Sequence, residues 1–149
     1  MQKGFNCSHC QKFVVVDSFI GTHFRNHCPF CLWSSHVDFK KSGDRSSQCH
    51  GDTEPIGLTF KQEGYDKYGK KKQGELMLIH HCLYCDELSI NRIAGDDSPT
   101  IITKVFKDSL NLTRELKDRL KQEKIDLLTK KDKKEIDIQL FGKNKQSTP

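Results

Sequence analysis

The chain has 149 residues, 34% of them hydrophobic even with its seven cysteines counted, and 25 Lys+Arg against 20 Asp+Glu give a formal net charge of +5. Mean hydropathy is −0.70. These values allow one ordinary domain plus an appendage, exclude a large apolar core, and leave no stretch apolar enough to span a membrane.

Ordering a chain costs about 1–2 kcal/mol per residue in backbone entropy, so a thin core needs another source of cohesion. The cysteines supply a candidate. Six of the seven form C-x2-C pairs, Cys7/Cys10, Cys28/Cys31 and Cys82/Cys85, and Cys49 stands alone. Two thiolates from one tight turn can reach a single tetrahedral ion, and a structural zinc contributes roughly 10–16 kcal/mol of apparent folding free energy at neutral pH. Disulfides, an iron–sulfur cluster or redox cysteines are the competing readings. The first residues lack the basic start and apolar run of a secretory signal. A cytoplasmic address is expected, where thiols stay reduced and clustered cysteines mean metal.

Along the chain, the first pair leads into residues 13–16, a β-branched run that predicts a strand. The second pair follows Arg25-Asn26-His27 and precedes His36. Residues 64–74, with Lys70-Lys71-Lys72, read as an exposed basic loop or hairpin tip, and residues 75–80 as a strand running into the third pair.

The ligands partition in two ways. In chain order, Cys7, Cys10, Cys28 and Cys31 form one four-cysteine ribbon site, leaving Cys49, Cys82, Cys85 and a histidine for a second. In a nested arrangement, Cys28, Cys31, His36 and Cys49 form one site, and Cys7/Cys10 face Cys82/Cys85. The nested arrangement is preferred because it uses His36 locally. Both use the same eight residues and predict two Zn2+ per chain. His50, His80 and His81 are the other candidate histidines. If only one zinc binds, the surplus cysteines serve as small buried hydrophobes.

The segments Arg25-Asn26-His27-Cys28-Pro29-Phe30-Cys31-Leu32-Trp33-Ser34, His36-Val37-Asp38, Gly43-Asp44-Arg45, Pro55-Ile56 and Asn91-Arg92-Ile93-Ala94-Gly95-Asp96-Asp97 occur in this order. The chain thereby resembles the RNHCP domain family from about Phe5 to Asp97. The resemblance implies a compact Cys/His-rich domain and a bacterial cytosol, and no particular reaction. Gln11 and Asp86 stand where the family pattern has glycine after the first and third pairs. Since glycine relieves positive φ, an altered turn geometry is expected there.

Arg25, Asn26 and His27, joined by Arg45, Asn91 and Arg92, are candidates for phosphate or RNA contact, because a guanidinium fork and directional amide and imidazole groups suit phosphate. The preferred alternative is that Arg25 and Arg92 pair internally with Asp38, Asp44, Asp96 or Asp97. Trp33, Phe30 and Phe39 are either a base-stacking surface or, as preferred for Trp33 and Phe30, a small core under the metal.

Residues 1–98 carry 12 Lys+Arg against 12 Asp+Glu, and residues 99–149 carry 13 against 8, so the net charge lies wholly in the last third. This divides the chain into a zinc-binding domain, 1–98, and a basic helical tail, 99–149, disordered from about 142. Ser98-Pro99 predicts a helix start. Leu112, Leu116, Leu120 and Leu127 mark one face of a helix over residues 100–129, broken near Asn111, with Glu115 and Arg119 as an i,i+4 pair. The stripe is expected to dock on the zinc domain, with a protein partner as the alternative. Lys130-Lys131-Asp132-Lys133-Lys134 reads as a solvated run, and Ile136, Ile138 and Leu140 alternate like a strand.

The expected fold is a small α+β zinc-stabilised domain, zinc-ribbon or knuckle-like and β-rich, with a C-terminal Lys-rich helix. The expected function is a non-enzymatic module associated with RNA or a ribonucleoprotein such as the ribosome. A protein adaptor is the alternative, followed by a ββα-metal nuclease, which the order Cys28, Cys31, His36, Asp38 distantly resembles. Removing residues 130–149 is expected to weaken RNA binding and leave the zinc domain folded.

Overall fold

The computed structural model describes residues 4–15, 27–35, 49 and 51–142. Arg25, Asn26, His36, Asp38, Phe39, Asp44, Arg45, His50 and residues 143–149 lie outside them, so what the sequence predicts for those positions is not settled by the fold.

Two antiparallel sheets organise the chain. The first is a hairpin of β1 (Gly4–Asn6) and β2 (Phe13–Val15), with Phe5 opposite Val14. The second has the order β3-β4-β5-β6, from β3 (Ser34–Ser35), β4 (Asp52–Phe60), β5 (Leu76–Cys82) and β6 (Leu88–Arg92). The β4–β5 register slips between Pro55 and Gly57, where a bulge accommodates a proline that cannot donate to the ladder.

Alternation along β5 sends Leu76 and Leu78 to one core and Ile79 to another. Helix α1 (Pro99–Ser109) begins as predicted, with Pro99 at its first position and the Ser98 hydroxyl accepting from the Ile101 amide. Its buried stripe, Ile102, Val105, Phe106 and Ser109, has helical spacing and packs with Leu32, Leu58 and Leu78. On the other side Leu120 of α2 (Arg114–Gln122) joins Ile56, Ile79 and Ile125. The leucine stripe is thus used inside the molecule.

The predicted single helix over 100–129 is two helices and a loop. Leu110–Leu112 turn tightly after α1, and the Thr113 hydroxyl caps α2 by accepting from the Leu116 amide. The chain leaves α2 with Lys124 at φ 59°, the Lys124 amide on the Lys121 carbonyl and the Ile125 amide on the Leu120 carbonyl. This is a Schellman ending built on lysine instead of glycine, which is why no stop signal was legible. The Leu128 amide then donates to the Leu58 carbonyl at 3.0 Å, covering part of the β4 edge that short β3 leaves open.

Residues 136–140, predicted as a strand, belong to α3 (Lys133–Phe141), preceded by a 3-10 turn at Lys130–Asp132. Ile136 is buried in the α1 core and Leu140 packs against it, four residues apart on one helical face. Gln139 also accepts from the Leu76 amide and donates to the Gly74 carbonyl. Cutting the chain at residue 130 would remove these contacts, so the truncation is expected to disturb the core as well as the charge.

Candidate metal centre

Each C-x2-C pair sits in the same turn. The amide of the first cysteine donates to the carbonyl five residues on, Cys7 to Lys12, Cys28 to Trp33 and Cys82 to Glu87, each at 2.8 Å. The amide four residues on returns to the first cysteine's carbonyl, from Gln11, Leu32 and Asp86. Those three residues have φ of 70°, 66° and 70°. The turn geometry expected to change at Gln11 and Asp86 is therefore kept, with L-residues held in the left-handed region that favours glycine. Within each turn amides point at the first sulfur, Cys10 to Cys7, Phe30 to Cys28 and Cys85 to Cys82, all at 3.4 Å. Such donors suit a thiolate.

The turns assemble into two clusters. Cys7, Cys10, Cys28 and Cys31 have their sulfurs within 4.8 Å of one another, and so do Cys49, Cys82 and Cys85. The nested arrangement is thus overturned: the β1–β2 hairpin faces the 28–31 turn, while the third turn, at the end of β5, faces Cys49. Sulfur separations are 3.7 Å for Cys7–Cys31, 3.6 Å for Cys10–Cys28 and 3.6 Å for Cys49–Cys82. A metal–sulfur bond of about 2.3 Å in a tetrahedron puts sulfurs about 3.8 Å apart, whereas a disulfide needs about 2.05 Å. Both clusters could hold a metal ion.

Electrostatics point the same way. Burial pushes the Cys28 thiol up to about 11, burial first and the neighbouring Cys10 and Cys7 sulfurs besides. Cys31 is raised further and Cys85 to about 11, burial again leading. At Cys82 burial is outweighed by the amides of Cys85 and Tyr84 and by the Cys85 and Cys49 thiols, which hold it at about 7. At Cys10 burial is likewise outweighed, by the Lys12 amide and then the Cys28 thiol, and its value is lowered. In the first cluster Cys10 is thus lowered while Cys28 and Cys31 are raised, and in the second Cys82 is lowered while Cys85 is raised; a bound cation would favour the thiolate form of the raised ones.

Among the described residues, the imidazoles of His27, His80 and His81 have other occupations. His80 is fully buried, donating from Nε2 to the Leu32 carbonyl at 2.6 Å and accepting at Nδ1 from Asn91 Nδ2 at 2.8 Å. Burial first, and the neighbouring His27, hold its pKa at about 3, so it is neutral and already has two partners. His81 Nε2 contacts Asp86. His27, 4% exposed, bonds Asp97 Oδ2 at 2.7 Å, and the same oxygen accepts from the Ala94 amide. The Ser98 amide reaches the Pro29 carbonyl. The 27–29 and 91–98 segments thus meet inside the molecule.

Of the six candidate phosphate contacts, His27 and Asn91 face inward. Arg92 is exposed and pairs with Glu75 at 3.3 Å, not with Asp96 or Asp97. Neither Trp33 nor Phe30 belongs to a buried core: Trp33 stacks on His9 with ring centroids 4.0 Å apart, and Phe30 is 48% exposed beneath Lys12. Arg119 pairs with Asp86 and Glu123 instead of Glu115, and so ties α2 to the third turn. Spacing alone could not reveal that contact, because its partners are 33 residues apart.

Two substitutions probe these turns. Gln11 is exposed and its side chain makes only a 3.3 Å bond to the Ser8 carbonyl. Gln11→Gly removes the left-handed penalty at the cost of a more flexible unfolded chain, and is expected to raise stability by about 0.5–1 kcal/mol in chemical denaturation. A Cβ on Gly51 would lie 2.5 Å from Tyr84 Cβ and 3.1 and 3.3 Å from the Cys82 and Cys49 sulfurs. Gly51→Ala is therefore expected to weaken metal retention at the second cluster alone, read by competition with a chromophoric chelator.

No curated protein and no solved structure matches the chain. The RNHCP domain matches it over residues 2–103, a span that takes in all three turns, both thiol clusters and the contacts of His27 and Asn91. With more than half its length inside that match, the chain belongs to the RNHCP domain family.

Proposed function

We propose that this chain is a non-enzymatic zinc module of the bacterial cytoplasm that binds two Zn2+ and associates with RNA or a ribonucleoprotein. The observation that carries the reading is the closure of the first cluster. Four thiols converge there, leaving no coordination position for water or substrate, which is the pattern of a structural zinc and not a catalytic one. Zinc suits the all-sulfur donor set. At the second cluster Cys49, Cys82 and Cys85 supply three ligands, and His36 or His50, outside the described residues, would supply a fourth. His27 and Asp97, the buried His–Asp pair among the described residues, are bonded to each other and 4% and 6% exposed, which disfavours the nuclease reading.

The positive balance of the chain and the exposed rings of Phe13, Phe30, Tyr65, Tyr68 and Tyr84 support a nucleic-acid partner, to which lysines give salt-dependent affinity and rings give stacking. Fluorescence anisotropy of the zinc-loaded chain with labelled RNA, from 50 to 300 mM salt, tests this. Binding that weakens linearly in log–log form, without cleavage in Mg2+, is expected. No binding at 50 mM salt would overturn the RNA reading in favour of the adaptor.

A further inference from the structure

The loop between β4 and β5 is an ordered basic hairpin tip. Asp66 Oδ1 accepts from the Tyr68 and Lys70 amides at 2.8 and 2.9 Å, and the Lys72 amide donates to the Gly64 carbonyl at 2.9 Å. Gly64 and Gly69, both at φ 78°, make the reversals, and Tyr65 pairs with Lys71 as an isolated bridge. Such a loop holds its side chains up instead of collapsing them. Tyr65 and Tyr68 are 69% and 82% exposed, and the Lys67 ammonium lies over one face of the Tyr68 ring, 5.2 Å from its centroid, leaving the other face for a base.

The base of this hairpin is one wall of a cleft of about 720 Å³, whose other wall is α2 and the segment after it. Lys71 and Lys72 line the first wall with Lys61, which pairs with Glu63 at 3.8 Å, and Lys117, Lys121 and Lys131 line the second; Leu120 and Ile125 also line the cleft. Asp126 and Asp132 are the carboxylates in the lining, and Asp132 is engaged by the Thr129 amide. No ion pair joins the other five lysines to a carboxylate among the described residues. Ammonium groups gathered around one cleft in excess of its carboxylates make its lining positive, and a polyanion between the walls would neutralise it.

We propose that the cleft and hairpin tip form a binding site for single-stranded RNA, with phosphates between the lysine walls and unstacked bases on Tyr65 and Tyr68. The site rests on the RNA reading above and gives it a location whose lining includes neither the cysteines nor Arg92. Charge complementarity selects a polyanion. The two outward rings select a single strand over a duplex, whose bases are already stacked, and over an acidic peptide, which has no flat groups to offer them.

The test uses the full zinc-loaded chain with a labelled 12-nucleotide oligouridylate, a 12-base-pair RNA duplex and a polyglutamate peptide. Lys71→Ala/Lys72→Ala is expected to lower the slope of log affinity against log salt by roughly 1.4, at about 0.7 per single-strand phosphate contact. Tyr68→Ala is expected to lower affinity about tenfold with the slope unchanged. Lys134→Ala, exposed on α3 and outside the cleft lining, should change neither, and zinc content and melting confirm that each variant is folded. If the wild type binds oligouridylate but both cleft variants bind equally well, the site is wrong and the RNA reading stands. Equal binding of duplex or polyglutamate would overturn the single-strand assignment. If the wild type binds no RNA at all, site and reading fall together.

Discussion

Stripping the metal with a strong chelator is expected to unfold this protein, and metal analysis of the purified chain should return two zinc ions per molecule. Each structural zinc is worth roughly 10–16 kcal/mol, comparable with the 5–15 kcal/mol total stability of a typical domain. Hydrophobic burial is slight at the first cluster, where the buried residues among those described are Cys7, Val14 and Cys28. Cys28→Ser, at a fully buried position, should halve the zinc content and abolish cooperative melting of the β1–β2 hairpin and the 28–31 turn. Circular dichroism with and without chelator reads both effects. A melting curve indifferent to the chelator, or one zinc per wild-type chain, would refute two structural sites.

The pH dependence follows with opposite signs in the two states. Zinc binds thiolates, so protons compete with it, and the loaded form should lose metal on acidification. In the metal-free fold, Cys28 is raised from 9.0 to about 11 by burial, so the fold favours its neutral form. That contribution is present below pH 9 and is lost as pH rises toward 11. Acid should therefore strip and unfold the loaded chain, while alkali should further disfavour refolding of the chain once it is stripped.

Asp97→Ala should be the most damaging change away from the cysteines. It leaves the His27 imidazole and the Ala94 amide without their shared acceptor, at residues 4% and 9% exposed. Leaving a buried donor without its acceptor costs about 1–3 kcal/mol for each of the two groups, which for a chain of this length lowers the melting temperature by roughly 5–20 °C. Because His27 directly precedes Cys28, the first cluster should also hold its metal less tightly. Arg92→Ala is the contrast. Its side chain is 76% exposed in a surface pair with Glu75, and its loss should stay within about 0.5 kcal/mol. An Asp97 variant as stable as the Arg92 variant would show that the meeting of the 27–29 and 91–98 segments does not hold the fold.

Much of this molecule was legible in residue spacing. The C-x2-C turns, the β-branched run at Phe13, the strand entering Cys82 and the Ser98-Pro99 cap are local signals, and each appears where its chemistry places it. The partition of the cysteines was not legible. It depends on which turn faces which across a sheet, and the preference for a nearby His36 weighed sequence distance where strand pairing decided. The strand expected at residues 136–140 failed because Ile136 and Leu140 fit a helical period as well as Ile136 and Ile138 fit a period of two. Lys124 hid the end of α2, since a left-handed lysine carries no sequence mark. The inward roles of His27 and Asn91 were equally hidden, because their partners Asp97 and His80 come near only in the folded chain.

The two thiol clusters also differ in how much chain must be gathered to close them. The first joins residues 7 and 31, and its longest loop is 24 residues. The second needs Cys49 beside Cys82, 33 residues apart, with β5 already in register on β4. The sheet in turn is completed by Gln139 on Leu76, a separation of 63. Loop-closure entropy rises only slowly with such lengths, but the order of availability during synthesis is strict. The first ion can be captured while most of the chain is still unmade, and the second cluster gains its full support only after α3 exists. Zinc supply would then act on this protein at two separate moments of its birth, with starvation at the later one leaving a half-loaded chain whose N-terminal cluster is already sealed.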